Sequence, residues 1–84
     1  MNKARLYVAN LHYDAGTEDM KQFFSQYGKV KDAQVITDGE SGRSRGFGFV
    51  EMNIPVEAER ALAANGEEMM GRRLKVAYAQ DKRR

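Results

Sequence analysis

The stretch that decides the fold is "SRGFGFVEM", residues 44–52, because its residue types alternate. Phe47 and Phe49 occupy one phase of the stretch, whereas Val50 and Met52 occupy the other. A period of two is typical of a β-strand, whose successive side chains point to opposite faces of a sheet. The stretch therefore predicts a strand with one aromatic face and one aliphatic face.

Composition restricts the class of protein. With 84 residues, 42% hydrophobic and 31% charged, the chain predicts one small soluble domain spanning residues 1–84, with a single core at about 4–79 and a short basic tail at 80–84. It contains no cysteine, and no long apolar run stands near the N-terminus. We therefore expect no disulfide, no membrane span and a cytoplasmic location, or a nuclear one if the chain is a eukaryotic fragment.

Outward from the deciding stretch, a second alternating segment stands near the N-terminus. In "RLYVAN", residues 5–10, Leu6 and Val8 alternate with Tyr7 and Ala9. This pattern predicts the first strand of the sheet.

A helical pattern follows that strand. Thr17 can cap the helix and Gly28 can end it. Between them, apolar residues recur at i, i+3, i+4 and i+7: Met20, Phe23, Phe24 and Tyr27.

The other segments complete the order of elements. Residues 30–38 predict a second strand with imperfect alternation, and residues 39–44 predict a hairpin loop. Residues 53–66 predict a second helix capped by Asn53, and residues 73–79 predict the last strand.

This order, strand, helix, strand, strand, helix, strand, predicts an α+β ferredoxin-like sandwich. Right-handed crossovers would place both helices on one face of a four-stranded antiparallel sheet. The aliphatic phase of each strand then faces the helices. The aromatic phase, which contains Tyr7, Phe47 and Phe49, faces solvent as a row of coplanar rings, while Gly46 and Gly48 let neighbouring layers approach closely.

Exposed rings near arginines suit unstacked nucleic-acid bases, and two motifs strengthen that interpretation. "RGFGFVEM", residues 45–52, resembles the octamer signature of the RNA recognition motif family, and "LYVANL", residues 6–11, resembles its hexamer signature. The resemblance covers about residues 4–79. It extends to small single-domain bacterial RNA-binding proteins and to glycine-rich cold-responsive proteins.

The resemblance implies that Tyr7 and Phe49 each stack on a base, that Phe47 packs against sugars and that Arg45 pairs with a phosphate. Met52 departs from the aromatic residue usual at the end of the octamer, but its phase points into the core. Further contacts to RNA are expected from strand, loop and tail residues: Lys3, Arg5, Gln34, Arg43, Lys75, Ala77 and Lys82.

Catalysis is not expected. One histidine and no cysteine leave no ligand set for a metal and no base for a nucleophile beyond His12. An acylphosphatase-like activity is suggested only by analogy with other proteins of this general fold.

We therefore predict a monomer without cofactor that binds single-stranded RNA, and single-stranded DNA more weakly, in post-transcriptional regulation or RNA chaperoning. The alternative is a protein-interaction module that uses the same fold.

Overall fold

The computed structural model describes residues 4–79, which form two helices and a four-stranded antiparallel sheet. The strands and helices are β1 Arg5–Ala9, α1 Thr17–Phe24, β2 Val30–Thr37, β3 Ser44–Met52, α2 Pro55–Ala61 followed by a 3₁₀ turn Leu62–Ala64, β4 Glu68–Met69, β5 Arg72–Arg73 and β6 Lys75–Tyr78. The main sheet has the order β2-β3-β1-β6, and each neighbouring pair is antiparallel. The predicted ferredoxin-like fold is confirmed. Within residues 4–79, neither helix has the length and apolarity to cross a bilayer.

Both helices pack on the same face of the main sheet. Met20 and Phe24 of α1 and Ala58 and Ala61 of α2 are fully buried. They share one cluster with the aliphatic phase of the strands, which includes Leu6, Val8, Val50, Met52 and Val76. Each large side chain in this cluster contributes about 1.5 to 3 kcal/mol by leaving water. This burial fixes which face of the sheet is covered and leaves the opposite face open.

Gly48 makes room for α1 beneath the sheet. A Cβ atom at this position would clash with the backbone carbonyl oxygen of Gln34 and lie 2.8 Å from Cε of Met20. The predicted close approach is therefore found on the core side of β3, between the strand and the helix.

A β-bulge explains the imperfect alternation of β2. Val30 pairs with Met52, but the next pair is Asp32 with Glu51, so Lys31 is an extra residue on β2. The extra residue lets Val30 and Val35, which are an odd number of positions apart, both pack against the core.

Helix α1 begins and ends earlier than its sequence predicts. The N-cap is Gly16, not Thr17, and the Asp19 carboxylate accepts a hydrogen bond from the Gly16 N–H at 2.8 Å. At the other end, the Ser25 hydroxyl donates to the Gln22 carbonyl at 2.7 Å. The α-helix ends at Phe24, well before the predicted stop at Gly28, and the Tyr27 N–H donates to the Phe24 carbonyl at 3.0 Å in the tighter turn that follows.

Helix α2 is also shorter than predicted. Its N-cap is Ile54, not Asn53, and Pro55 occupies the first helical position, where its missing N–H costs nothing. The α-helix ends at Ala61 and tightens into the 3₁₀ turn.

A short hairpin precedes the last strand and was not predicted. Strands β4 and β5 pair through Met69 and Arg72, and the turn between them has positive φ at Met70 (54°) and Gly71 (85°). Arg73 therefore belongs to β5, and the last strand of the main sheet begins at Lys75.

Candidate nucleic-acid interface

Three aromatic rings lie together in the centre of the open sheet face. The register of β1 and β3 places Tyr7 opposite Phe49 and Ala9 opposite Phe47. The Tyr7 ring centroid is 5.8 Å from those of Phe47 and Phe49, which are 6.4 Å from each other. The sequence therefore assigned these three residues to the correct face.

The rings are tilted, so the expectation of a coplanar row is wrong. The interplanar angles are 42° for Tyr7 and Phe47, 57° for Tyr7 and Phe49, and 86° for Phe47 and Phe49. Tilted and edge-to-face geometries are preferred by aromatic pairs because the edge of one ring meets the negative face of the other. Each ring therefore offers a platform in its own direction.

Mutual packing reduces the cost of placing these rings on an open face. Tyr7 keeps 37% of its surface exposed, whereas Phe47 and Phe49 are half-buried. The three rings thus bury part of one another's surface and still leave aromatic surface accessible to a planar ligand.

The outer strands add three of the predicted residues to the same face. Gln34 of β2 lies opposite Phe49, and the same row continues across the open face to Tyr7 of β1. On β6, Ala77 lies opposite Tyr7 and Lys75 lies opposite Ala9. All three side chains are exposed.

Arg5 reaches from β1 onto the aromatic cluster. Its guanidinium carbon lies 4.5 Å from the centroid of the Phe49 ring, a cation–π contact. The predicted residue therefore lies on the open face, where it covers one face of a ring.

The loop between β2 and β3, residues 38–43, is held by its own hydrogen bonds. The Asp38 carboxylate accepts from the N–H of Glu40 at 2.8 Å and of Ser41 at 3.2 Å, and the Asp38 N–H donates to the Arg43 carbonyl at 2.7 Å. These backbone donors, helped by the charge of Arg45, hold the pKa of Asp38 below its ordinary value. Arg43 at the end of the loop and Arg45 at the start of β3 both have exposed side chains.

Two acidic residues on the open face were not predicted as part of the site. Asp32 of β2 pairs in register with Glu51 of β3, which also lies opposite Arg5 of β1. Glu51 lies 3.7 Å from the ammonium of Lys31. Glu51 is two residues from Phe49 and shares its phase in the sequence, which was the signal that could have placed Glu51 on this face. The face therefore carries both signs of charge.

Asn10 joins the end of β1 to the hairpin. Its Nδ2 donates to the Arg73 carbonyl, and its Oδ1 accepts from Nη2 of Arg72, both at 2.6 Å. Its φ of 64° is a left-handed conformation that asparagine tolerates better than most residues. Asn10 thus fixes the position of the hairpin relative to the end of β1.

Two predicted contact residues, Lys3 and Lys82, lie outside the described residues, as does the rest of the basic tail. Within residues 4–79, no group of three or more histidine, cysteine or acidic side chains is arranged to hold a metal ion.

Comparison with known proteins identifies the family. The model of the family described as RNA recognition motif matches residues 6–75. The chain therefore belongs to the RNA recognition motif family.

Individual relatives cover most of the chain. RbpA of the cyanobacterium Synechocystis sp. is 49% identical over 88% of this chain and 74% of its own length. The chloroplastic RNA-binding protein CP31B of Arabidopsis thaliana is 46% identical over 95% of this chain, which spans only 28% of that protein's length. A crystal structure of RNA Binding Protein PG1 is 45% identical and superimposes with a TM-score of 0.88 over 96% of this chain and 99% of that chain.

Proposed function

We propose that this protein binds single-stranded RNA without catalysis, with the open sheet face as its binding surface. The observation that carries the proposal is the cluster of Tyr7, Phe47 and Phe49 at the centre of that face, with ring centroids 5.8 to 6.4 Å apart. Single-stranded RNA offers unstacked bases, and stacking of one base on an aromatic side chain contributes about 1 to 3 kcal/mol.

In the proposed mode, Tyr7 and Phe49 each stack on one base, and Phe47 packs against the sugars between them. The different tilts of the rings require the two bases to be splayed apart instead of stacked on each other. A duplex cannot meet this requirement without unpairing, so the mode favours single strands.

Positive side chains around the cluster pair with phosphates in this proposal. Arg43 and Arg45 would act from the loop and the start of β3, Lys75 from β6 and Arg5 from β1. Gln34 and Ala77 border the rings and would contact bases or sugars, and Lys3 and Lys82 would add contacts to phosphates. Phosphate contacts give affinity and register, whereas contacts to base edges give sequence preference.

Family membership supports this proposal, as do the names of CP31B and of the PG1 structure, which describe RNA-binding proteins. The proposal also includes a role in post-transcriptional regulation or RNA chaperoning. In that role the protein acts as a monomer and binds single-stranded DNA more weakly than RNA. The cytoplasmic location stays a prediction, since the named relatives include a chloroplastic and a cyanobacterial protein.

A protein-interaction module is less well supported. A protein partner on the sheet would have to accommodate tilted rings among side chains of both charges, and no described feature of the face favours a peptide over a nucleotide.

Salt dependence tests the proposal. Binding of a short fluorescent oligouridine, followed by anisotropy from about 50 to 200 mM salt, should weaken with rising salt because phosphate contacts release counterions. With about two to four phosphates neutralised, the slope of log affinity against log salt should be about −1.5 to −3. Absence of binding, or a flat response, would contradict the proposal.

A further inference from the structure

A small pocket of mixed polarity lies beside one of the three rings. It is lined by Arg5, Asp32, Gln34, Phe49 and Glu51, which come from three neighbouring strands. Phe49 supplies an aromatic wall, and the other four residues supply hydrogen-bond donors and acceptors. The pocket therefore has the composition of a site for a planar polar group.

Asp32 is the unexpected member of this pocket. It is exposed, and within residues 4–79 its carboxylate makes no hydrogen bond or ion pair, whereas Glu51 lies 3.7 Å from the Lys31 ammonium. A free carboxylate repels the phosphates of a bound nucleic acid and so lowers affinity for the backbone. A group of this kind favours binding only through hydrogen-bond donors, which RNA carries on its bases and on the ribose 2′-OH, and of these only the base donors differ from one nucleotide to another.

We propose that this pocket selects guanine for the base that stacks on Phe49, with Asp32 as the residue that determines the preference. The inference rests on the proposed function. It adds the identity of one base, which neither the fold nor the aromatic cluster specifies.

The hydrogen-bonding pattern of guanine matches a carboxylate. Its Watson–Crick edge presents two adjacent donors, N1–H and the N2 amino group, which fit the two carboxylate oxygens of Asp32 as a bidentate pair. Adenine and cytosine present one amino donor beside a ring nitrogen that repels the second oxygen. Uracil presents one N–H between two carbonyl oxygens, so it is the poorest match.

The Hoogsteen edge of guanine, which is adjacent to its Watson–Crick edge, matches the β1 side of the pocket. Guanine O6 and N7 are the acceptor pair that arginine recognises with two donors. A base that stacks on Phe49 displaces the Arg5 guanidinium from the ring. Two of its five N–H donors can then reach O6 and N7 while the others stay available to a phosphate, and the exposed Gln34 amide can supply one more donor. Guanine alone among the four bases has a donor pair for Asp32 and an acceptor pair for Arg5.

The experiment uses short single-stranded oligouridines that carry one central guanosine, inosine, adenosine or cytidine. Anisotropy titrations measure the affinity of the whole chain for each. The guanosine oligonucleotide should bind roughly 5- to 100-fold more tightly than oligouridine, the range expected for one bidentate contact. Inosine retains N1–H and O6 but lacks the N2 amino group, so it should fall between them.

Asp32→Asn tests the assigned residue because it keeps the size of the side chain and replaces one acceptor with a donor. This variant should lose most of the preference for guanosine over inosine and bind plain oligouridine at least as well as the parent chain. Glu59→Gln, which removes the same charge from an exposed position on α2, is the matched control and should leave every ratio unchanged.

The outcomes separate the two proposals. If the oligonucleotides bind with the expected salt slope but guanosine is not preferred, or if Asp32→Asn keeps the preference, the guanine pocket is wrong and the proposed function stands. If the parent chain binds none of them, the proposed function fails and this inference fails with it. The inosine comparison needs no protein variant, so a folding defect in Asp32→Asn would not remove the test.

Discussion

The guanidinium of Arg5 lies over the ring of Phe49, with its central carbon 4.5 Å from the ring centroid. Both side chains project from the open face of the sheet, on neighbouring strands. A base that stacks on the same face of Phe49 must displace the guanidinium. The contact is worth only about 0.5 to 1 kcal/mol at an exposed site, so a base or a phosphate can outcompete it.

Replacement of Arg5 by alanine should weaken RNA binding at low salt and make the slope of log affinity against log salt shallower by about 0.7, the value for one phosphate on a single strand. Anisotropy titrations at several salt concentrations measure both quantities. Arg60→Ala removes an exposed positive charge from α2, away from the open face, and should leave the slope unchanged. An unchanged slope in Arg5→Ala would mean that Arg5 contacts no phosphate.

Phe49→Ala should lower the affinity for single-stranded RNA by about 1 to 3 kcal/mol, because it removes one stacking platform. The side chain is half-buried on the open face and belongs to no part of the helix-covered core, so the variant should still fold cooperatively. Titration and circular dichroism together check this. A variant that unfolds would show that the ring has a structural role on this face.

Val50→Ala changes the neighbouring residue and should have the opposite effect. Val50 is fully buried among the helices. Its truncation should lower the free energy of unfolding by at least about 0.5 to 1.5 kcal/mol, as other small core truncations do, and leave the RNA affinity of the folded protein unchanged. Urea denaturation measures the first quantity. Weaker RNA binding without a loss of stability would contradict the assignment of the two faces.

Gly48→Ala should destabilise the fold by about 1 to 3 kcal/mol, the usual range for overpacking. The new Cβ would meet the Gln34 carbonyl, which cannot move without separating β2 from β3. Gly39→Ala is the matched control, because a Cβ at that loop position has no atom within 4 Å. Thermal unfolding of both variants provides the comparison, and equal midpoints would refute the packing argument.

The loop between β2 and β3 should lose its order at low pH. Because the folded pKa of Asp38 lies below its unfolded value, the charged carboxylate stabilises the loop above the unfolded pKa. This stabilisation disappears as the pH falls through the folded pKa. Amide proton shifts and exchange rates of Glu40 and Ser41, followed by NMR, should report the change. A carboxyl that titrates at or above the ordinary value would contradict the prediction.

The strand phases could be predicted because burial on one face imposes a period of two on β1 and β3. The helix ends could not, since they depend on local hydrogen bonds, such as the one that the Asp19 carboxylate accepts from the Gly16 N–H, and Thr17 and Gly28 offered equally good signals.

The β4–β5 hairpin was missed because two-residue strands carry no periodic pattern. The contact between Arg5 and Phe49 depends on which strands are neighbours, which the alternation within one strand does not specify. The family motifs predicted the three rings. They did not predict Asp32 or Glu51, because acidic side chains are not expected beside phosphates.

The extra residue Lys31 makes the length of β2 part of the information that specifies which side chains lie on the open face. Because of the bulge, Val30 and the residues after Lys31 follow different alternation patterns. Without Lys31, either Val30 or the pair Ala33 and Val35 would have to move from the core face to the open face. The amino-acid composition of the strand would hardly change. Asp32 and Gln34, however, would either turn towards the helices or lose their pairing with β3. A comparison of family members at this position should therefore align the strand by pairing partner, since an ungapped alignment would equate core residues with residues of the open face.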